Sequence, residues 1–472
     1  MKVAVEGCCH GALDAIYQQI RTVETRNNYK VDLLLICGDL QAVRNYRDLQ
    51  CMAVPQKYRQ LGDFYKYYTG EKTAPVLTIV IGGNHEASNY LWELYHGGWL
   101  APNIYFLGHA GCVQVNGVRI AGASGIFKNH DFRLGHHERM PYDPASMRSI
   151  YHIREYNVRR LSLLSRPDIF LSHDWPLSIE RHGDVQGLLR RKPFFRQDVN
   201  TGNLGSPPLM GLLQTLRPTW WFSGHMHVRF GATVRYERGD SKLDAMGQVT
   251  SPKARNPEEI SFQDDFDETP ALVSEASSPK ERTPNRTLVA PSNPDEIPLE
   301  DEEQDVIHPP RPVTPPMETK FIALDKCLPH RDFLEVVEVP LSSDARPSAT
   351  SRNESGPKLT YDPEWLAITR AFHPYFSASR HQASYPDEAT ARARVAEELS
   401  WVKENIVRKT CDEGSLSIHG RQLFAPTAPG PGNEGNAKFM QPPSYTNLQT
   451  VAFCDMLKLQ NKINFSSEGS NP

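Results

Sequence analysis

The chain has 472 residues and a formal net charge of −4; that length holds two or three domains with a sizeable core, and the slightly acidic balance excludes a protein that coats nucleic acid through bulk charge, leaving only a local basic patch for any RNA contact. The N-terminus lacks the apolar stretch of a secretory signal and the longest apolar run, VDLLLICG, is too short to span a bilayer, so a soluble intracellular chain without membrane association is expected. Eight cysteines, at 8, 9, 37, 51, 112, 327, 411 and 454, lack the spacing of a disulfide framework and are expected to be reduced. In chain order, KVAVEGC, VDLLLICGD, PVLTIVIGGNHE, VRIAGASG, DIFLSHDW and TWWFSGHMH are strand-like apolar runs separated by helical or polar segments over residues 1–237. This is α/β patterning with several buried strands.

From 238 to 316 the composition turns to Ser, Pro, Asp and Glu, with five SP or TP dipeptides and the acidic run LEDEEQD, and such a stretch cannot bury enough apolar surface to order itself. It reads as a disordered linker with candidate phosphorylation sites. Apolar pattern returns at TKFIALDKCLPHRDFLEVVEV, and a helix is expected near 387–406, where Val395, Leu399, Val402 and Ile406 share a face. Residues 317–465 therefore read as a smaller, α-rich C-terminal domain, with a disordered tail at 466–472. The C-terminal region has no cluster of ligand-type side chains, which assigns the chemistry to the first domain.

Five strand ends carry that chemistry: GCCH at 7–10, GDLQ at 38–41, GGNHE at 82–86, LSHDW at 171–175 and SGHMH at 223–227. Parallel strands bring such loops to one edge of a sheet. A lone GD is ordinary turn chemistry and a lone histidine after a strand is usually a satisfied core or surface group; five in sequence order are a different matter. Together they resemble the calcineurin-like metallophosphoesterases, whose pattern is DxH, GD, GNH[ED], H and GHxH.

The resemblance implies a four-layer αββα sandwich holding two divalent ions, one on Cys8, His10, Asp39 and His227, the other on Asp39, Asn84, His173 and His225. The spacing agrees. Residues i and i+2 of an extended loop project to one side, so Cys8 with His10, and His225 with His227, each address one face. Asp39 has two carboxylate oxygens with which to bridge ions about 3.5–4 Å apart. Asn84 and His85 are neighbours that point apart, so one ligates while the other faces substrate.

Cys8 stands where most members carry aspartate. It is either a ligand in that place or a buried thiol beside a site with one working ion. As a soft thiolate ligand it favours Fe2+ or Zn2+ over Mg2+, with Mn2+ able to substitute; Cys9 points away and packs as a small hydrophobe. Within the superfamily, GCCHG resembles the RNA lariat debranching family, as do CGDLQAVRN, GGNHEASN, IFLSHDWP and WFSGHMHVRF and, after the linker, KFIALDKCLP and PPSYTNLQTVAFCDMLKLQNKIN. SGHMH departs from that family's usual SAHLH by restoring the general phosphoesterase glycine.

This resemblance implies hydrolysis of the 2′,5′-phosphodiester at the branch point of excised intron lariats, hence intron turnover in mRNA processing, a nuclear location, and no DNA substrate. His85 is assigned either as the proton donor to the departing 2′ oxygen or as an orienting group. Splicing-related proteins are expected to engage the linker or C-terminal domain. The irregular stretch 124–154 interleaves cations with aromatics; by resemblance it is the lariat recognition loop, with Lys128, Phe132, Arg133, Tyr142, Arg148 and Tyr151 as RNA contacts. Its bland alternative is a solvated loop with some aromatics buried beneath it. RRKPFFRQD at 190–198 either extends the basic surface or buries its phenylalanines. Two rival functions stand: a general metallophosphoesterase or nuclease on 3′,5′ nucleic acid, and a non-catalytic RNA-binding scaffold.

Overall fold

The computed structural model describes residues 1–236, 317–341, 356–408 and 416–464; the expected linker and tail lie outside the described residues. The first five strands are β1 (Lys2–Glu6), β2 (Leu33–Ile36), β3 (Leu77–Val80), β4 (Gly98–Ala101) and β5 (Ile104–Phe106). They are followed by β6 (Ala110–Val115), β7 (Val118–Ala123), β8 (Ile169–Ser172), β9 (Trp220–Ser223) and β10 (Phe230–Arg235). Beyond the linker come β11 (Glu318–Ala323), β12 (Leu334–Glu338) and β13 (Leu359–Tyr361). They form a six-stranded sheet of order β12-β1-β2-β3-β5-β4 and a seven-stranded sheet of order β10-β11-β9-β8-β7-β6-β13.

Each strand read from an apolar run is present, because the central strands are parallel and buried on both faces. Val3, Val5, Leu33, Leu35 and Ile79 join one cluster with Val113, Val115 and Ile120 of the other sheet. The alternate residues Ala4, Leu34, Ile36 and Val80 meet the helix Leu13–Asn27 through its Leu13, Ile16, Tyr17 and Ile20. That i, i+3, i+4, i+7 stripe makes this helix an outer layer. Asn28, at φ 51°, closes it in the left-handed conformation. Helices Glu155–Ser162 and Pro363–Phe372 rest against the second sheet.

The C-terminal segment has the expected helix as Glu388–Val402, with Val395, Val402 and, just beyond its end, Ile406 buried and Leu399 partly buried, and adds the helices Pro363–Phe372 and Leu448–Met456. It also completes both sheets. β11 inserts between β9 and β10, β12 pairs antiparallel with β1, and β13 pairs with β6. The N-terminal and C-terminal segments thus form one compact unit. The turn from β11 to β12 crosses between the sheets beside the Cys8 loop: Cys327 N donates to Cys8 O at 3.1 Å and Gly7 N to Phe333 O at 3.2 Å. The seven cysteines among the described residues are free and buried. Among the described residues no helix is long and apolar enough to cross a membrane.

Candidate metal centre

The five loops converge, though not from one sheet as the strand pattern suggested. Those after β1, β2 and β3 leave the first sheet and those after β8 and β9 leave the second. The site therefore lies at the edge where the two sheets meet.

Four of the seven expected ligands hold left-handed backbone: His10 (φ 46°), Asp39 (φ 50°), His225 (φ 64°) and His227 (φ 46°). Residues with a Cβ pay about 1–3 kcal/mol for this, and such strain persists where a site demands a particular aim. Close backbone approach completes the arrangement. A Cβ on Gly83 would stand 2.1 Å from Asp39 Oδ1, and one on Gly38, itself at φ 111°, would stand 2.3 Å from His173 Nδ1.

The ligating atoms of Cys8, His10, Asp39 and His227 all lie within 4.8 Å of one another. The Nε2 atoms of His10 and His227 are 3.0 Å apart. Two imidazole nitrogens at that distance need a proton or a cation between them. Burial holds His10 down to about 3, so its ring is neutral, and a neutral imidazole nitrogen is the form that ligates a cation. Burial, then Asp39 and Glu6, push the Cys8 thiol well above its usual range, and the His225 amide donates to its sulfur at 3.0 Å. A metal ion is what converts such a thiol to a thiolate.

On the other side, His173 Nδ1 donates to the Cys37 carbonyl at 2.7 Å, which aims Nε2 at Asn84 Oδ1 (3.0 Å) and Asp39 Oδ2 (3.4 Å). Burial disfavours charge on His173, yet Asp39 raises its pKa. Burial likewise opposes ionisation of Asp39, but His173, His85 and His10 outweigh it and hold the carboxyl well below the usual range. The His225 ring lies 5.0 Å from that of His173. Two donor sets thus meet at Asp39. The same oxygen, Oδ2, faces both, 3.7 Å from His10 Nε2 on one side and 3.4 Å from His173 Nε2 on the other. Oδ1 instead accepts the His85 amide at 2.8 Å, so Oδ2 is the oxygen presented to both donor sets.

His85 is half-buried, its amide pinned by Asp39 and its ring edge-on to His10 at 5.5 Å. Its Nδ1 has no partner among the described residues. Two supporting residues were quoted within motifs without a role. Glu86 accepts the amides of Leu40, Gln41 and Gly83, at 3.0, 2.9 and 3.1 Å, and so fixes the Asp39 and Asn84 loops to each other. Asp174 accepts the amides of Phe127 and Trp175, at 3.3 and 2.9 Å, which ties the loop 124–154 to the residue after His173. The acidic position that follows GNH was the available signal for the first; nothing local marked the second.

The loop is no solvated strap. It contains the helices Asn129–Phe132 and Pro144–Ser149. Buried Arg154 pairs with Glu138 at 2.5 Å, and His152 bonds Asp131 at 2.6 Å. Arg133 and Arg148 are exposed; Lys128, Phe132 and Tyr151 are partly exposed, Phe132 lying against Phe127 and the main core. Tyr142 requires correction: only 5% exposed, it packs with Cys51 and Ile150 and is not placed to stack on a base. Tyrosine serves core and interface equally, and its place in the chain does not say which. In RRKPFFRQD the two readings divide, Phe195 being core and Phe194 exposed.

A family model described as calcineurin-like phosphoesterase matches residues 1–229, and one described as lariat debranching enzyme, C-terminal domain, matches 316–462. A lariat debranching enzyme of Schizosaccharomyces pombe is 41% identical over 479 aligned residues, covering 98% of this chain and 96% of that protein. Those of Danio rerio and Drosophila pseudoobscura pseudoobscura are each 42% identical over 97% of this chain, which spans 66% and 76% of their lengths. Matched in both halves, and carrying the phosphoesterase donors at the edge where its two sheets meet, the chain belongs to the lariat debranching enzyme family.

Proposed function

We propose that this chain, a hydrolase of lariat RNA by its family, cleaves the 2′,5′-phosphodiester at the branch point of excised introns and releases a linear RNA with a 5′-phosphate. The observation that carries the reading is the convergence of Cys8, His10, Asp39 and His227 within 4.8 Å, with His85 alongside. Divalent ions bound there supply a nucleophile from water at neutral pH and stabilise charge developing on the phosphoryl oxygens. Cys8, His10, Asp39 and His227 would hold one ion, and Asp39, Asn84, His173 and His225 the other. The softness of the Cys8 sulfur supports Fe2+ or Zn2+ as the resident metal, with Mn2+ substituting.

The protein's own groups do the rest. Cys37, through His173, and Glu86, through the loop amides, keep the donors aimed before substrate arrives, so little reorganisation is left for the reaction itself. His85, held by its amide with its ring partly open to solvent, donates a proton to the departing 2′ oxygen. The exposed cations Arg133 and Arg148, with Lys128, hold phosphates of the unpaired strand. A DNA strand has no 2′ oxygen and offers no such bond. The substrate places the activity in the nucleus and in intron turnover.

The test is purified protein with a synthetic branched RNA and its unbranched 3′,5′ isomer, loaded with Fe2+, Zn2+ or Mn2+ in turn. Cleavage of the branch alone is expected. Equal cleavage of the isomer would make the protein a general nuclease, and binding without cleavage under all three metals would make it a scaffold.

A further inference from the structure

An open cavity of about 500 Å³ lies where the loop 124–154 meets the C-terminal segment, lined chiefly by Arg139, Tyr375, Phe376, Ser377, Ser379 and His381. Its volume is that of a small-molecule or nucleotide site. The junction is built. Gly135 N donates to Arg380 O at 3.3 Å and His136 N to Ser377 O at 3.0 Å, while Arg139 reaches the carbonyls of His136, Glu138 and Ala378. A Cβ on Gly135 would stand 2.3 Å from Ser379 O, so glycine is what lets the two segments close. No carboxylate is among the described residues lining the cavity. His381, which lines the cavity, and its chain neighbour Arg380 are exposed, and Arg394 bonds the Tyr375 hydroxyl.

A chain of rings joins this place to the metal centre. The Phe376 ring stacks on His136 at 5.6 Å, and His136 lies 5.8 Å from His109. His109 in turn lines a small cleft together with Gly83 and Glu86 of the metal-ligand loop. Cations, hydroxyls and a partly exposed tyrosine beside one another match what a strand presents, namely phosphate, ribose and a base face.

We propose that this cavity is a nucleotide subsite for an RNA arm leaving the branch point, with Arg139, Arg380 and His381 facing phosphate and Tyr375 a base. The proposal rests on the reading of branched RNA as substrate. It gives the C-terminal segment a direct part in substrate recognition besides completing the sheets.

Branched RNAs with arms of two or ten nucleotides distinguish the outcomes. For the wild-type protein the longer arm is expected to lower KM about tenfold, the worth of one phosphate or stacking contact. In Arg380→Glu/His381→Glu that ratio falls to about one or two, and Arg380→Lys restores it. Both residues are exposed, and an unchanged melting temperature confirms folding of the variant. Separately, a ten-nucleotide single-stranded RNA containing 4-thiouridine, irradiated with the wild-type protein, is expected to crosslink within 374–394. Branch cleavage with an arm-length ratio unchanged in the variant, or crosslinks only elsewhere, overturns the subsite and leaves the function standing. Failure of the wild-type protein to cleave either branched RNA overturns the function, and the crosslink then judges the subsite alone.

Discussion

His10 and His227, 217 residues apart in sequence, present their Nε2 atoms to each other at 3.0 Å, and each reaches that position through a left-handed backbone. One neutral ring can donate its N–H to the other at that distance, and a shared cation would take the place of that proton.

Removing one member should therefore empty one site and leave the other. His227→Ala is expected to bind about one metal ion fewer per chain than the wild-type protein, and to lose branch cleavage by about a hundredfold or more. Metal content by elemental analysis together with single-turnover rates checks this. An unchanged metal count would remove His227 from the ligand set.

His85 should separate chemistry from metal binding. His85→Ala is expected to lower kcat by about 10²–10⁴-fold while branched-RNA affinity and metal content stay at wild-type values, as for loss of a proton donor. A fall in metal content instead would make it an orienting residue.

Gly83 leaves no room for a side chain, since a Cβ would meet Asp39 Oδ1 at 2.1 Å. Gly83→Ala is expected to displace the shared carboxylate and to weaken metal affinity about tenfold or more, measured by competition with a chelator. Wild-type affinity would show that the loop yields freely.

Acid should destabilise the fold through histidines outside the metal centre. Burial, reinforced by Arg154, holds His136 well below the usual histidine range, and burial with Arg154 and Arg160 holds His109 down to about 3. Both are therefore neutral in the folded protein, while the unfolded chain takes up the protons near pH 6.5. Stability is complete above that pH and declines as pH falls from 6.5 toward 3, by up to about 1.4 kcal/mol per pH unit for each group. Urea denaturation at pH 7, 6 and 5 measures the slope. His136→Phe, which keeps the ring between Tyr95 and Phe376, is expected to flatten it; an unchanged slope would exclude His136 as a contributor.

Tyr142 and the exposed arginines of the loop should fail in different ways. Tyr142→Ala is expected to cost about 3 kcal/mol through its contacts with Cys51 and Ile150. Arg133→Gln/Arg148→Gln is expected to leave stability alone and to lower the logarithmic salt slope of RNA binding by about 1.4. Thermal melts and a salt titration distinguish them, and a salt slope equal to wild type would remove both arginines from the interface.

The donors were legible because each follows an apolar run, and a buried parallel strand announces itself locally. Their residue types and order match a known family's motifs, and that resemblance is what named Cys8, His10, Asp39, Asn84, His173, His225 and His227 before any coordinates. Asp174 and the fate of Tyr142 were not legible in that way. What Asp174 does depends on the Phe127 amide 47 residues away, and whether Tyr142 is core depends on Cys51.

Local composition and periodicity thus determined the strands, while the ligand set and the reaction class came from the resemblance of five strand-end motifs to a known family. Tertiary structure alone decided that two sheets, not one, deliver those ligands, that a single oxygen of Asp39 faces both donor sets, and that β11 and β12 belong to the same sheets as the N-terminal strands. The reason is physical: an apolar run records that a strand is buried, but its partner is set by contacts between residues hundreds of positions apart, to which neither pattern nor spacing is sensitive.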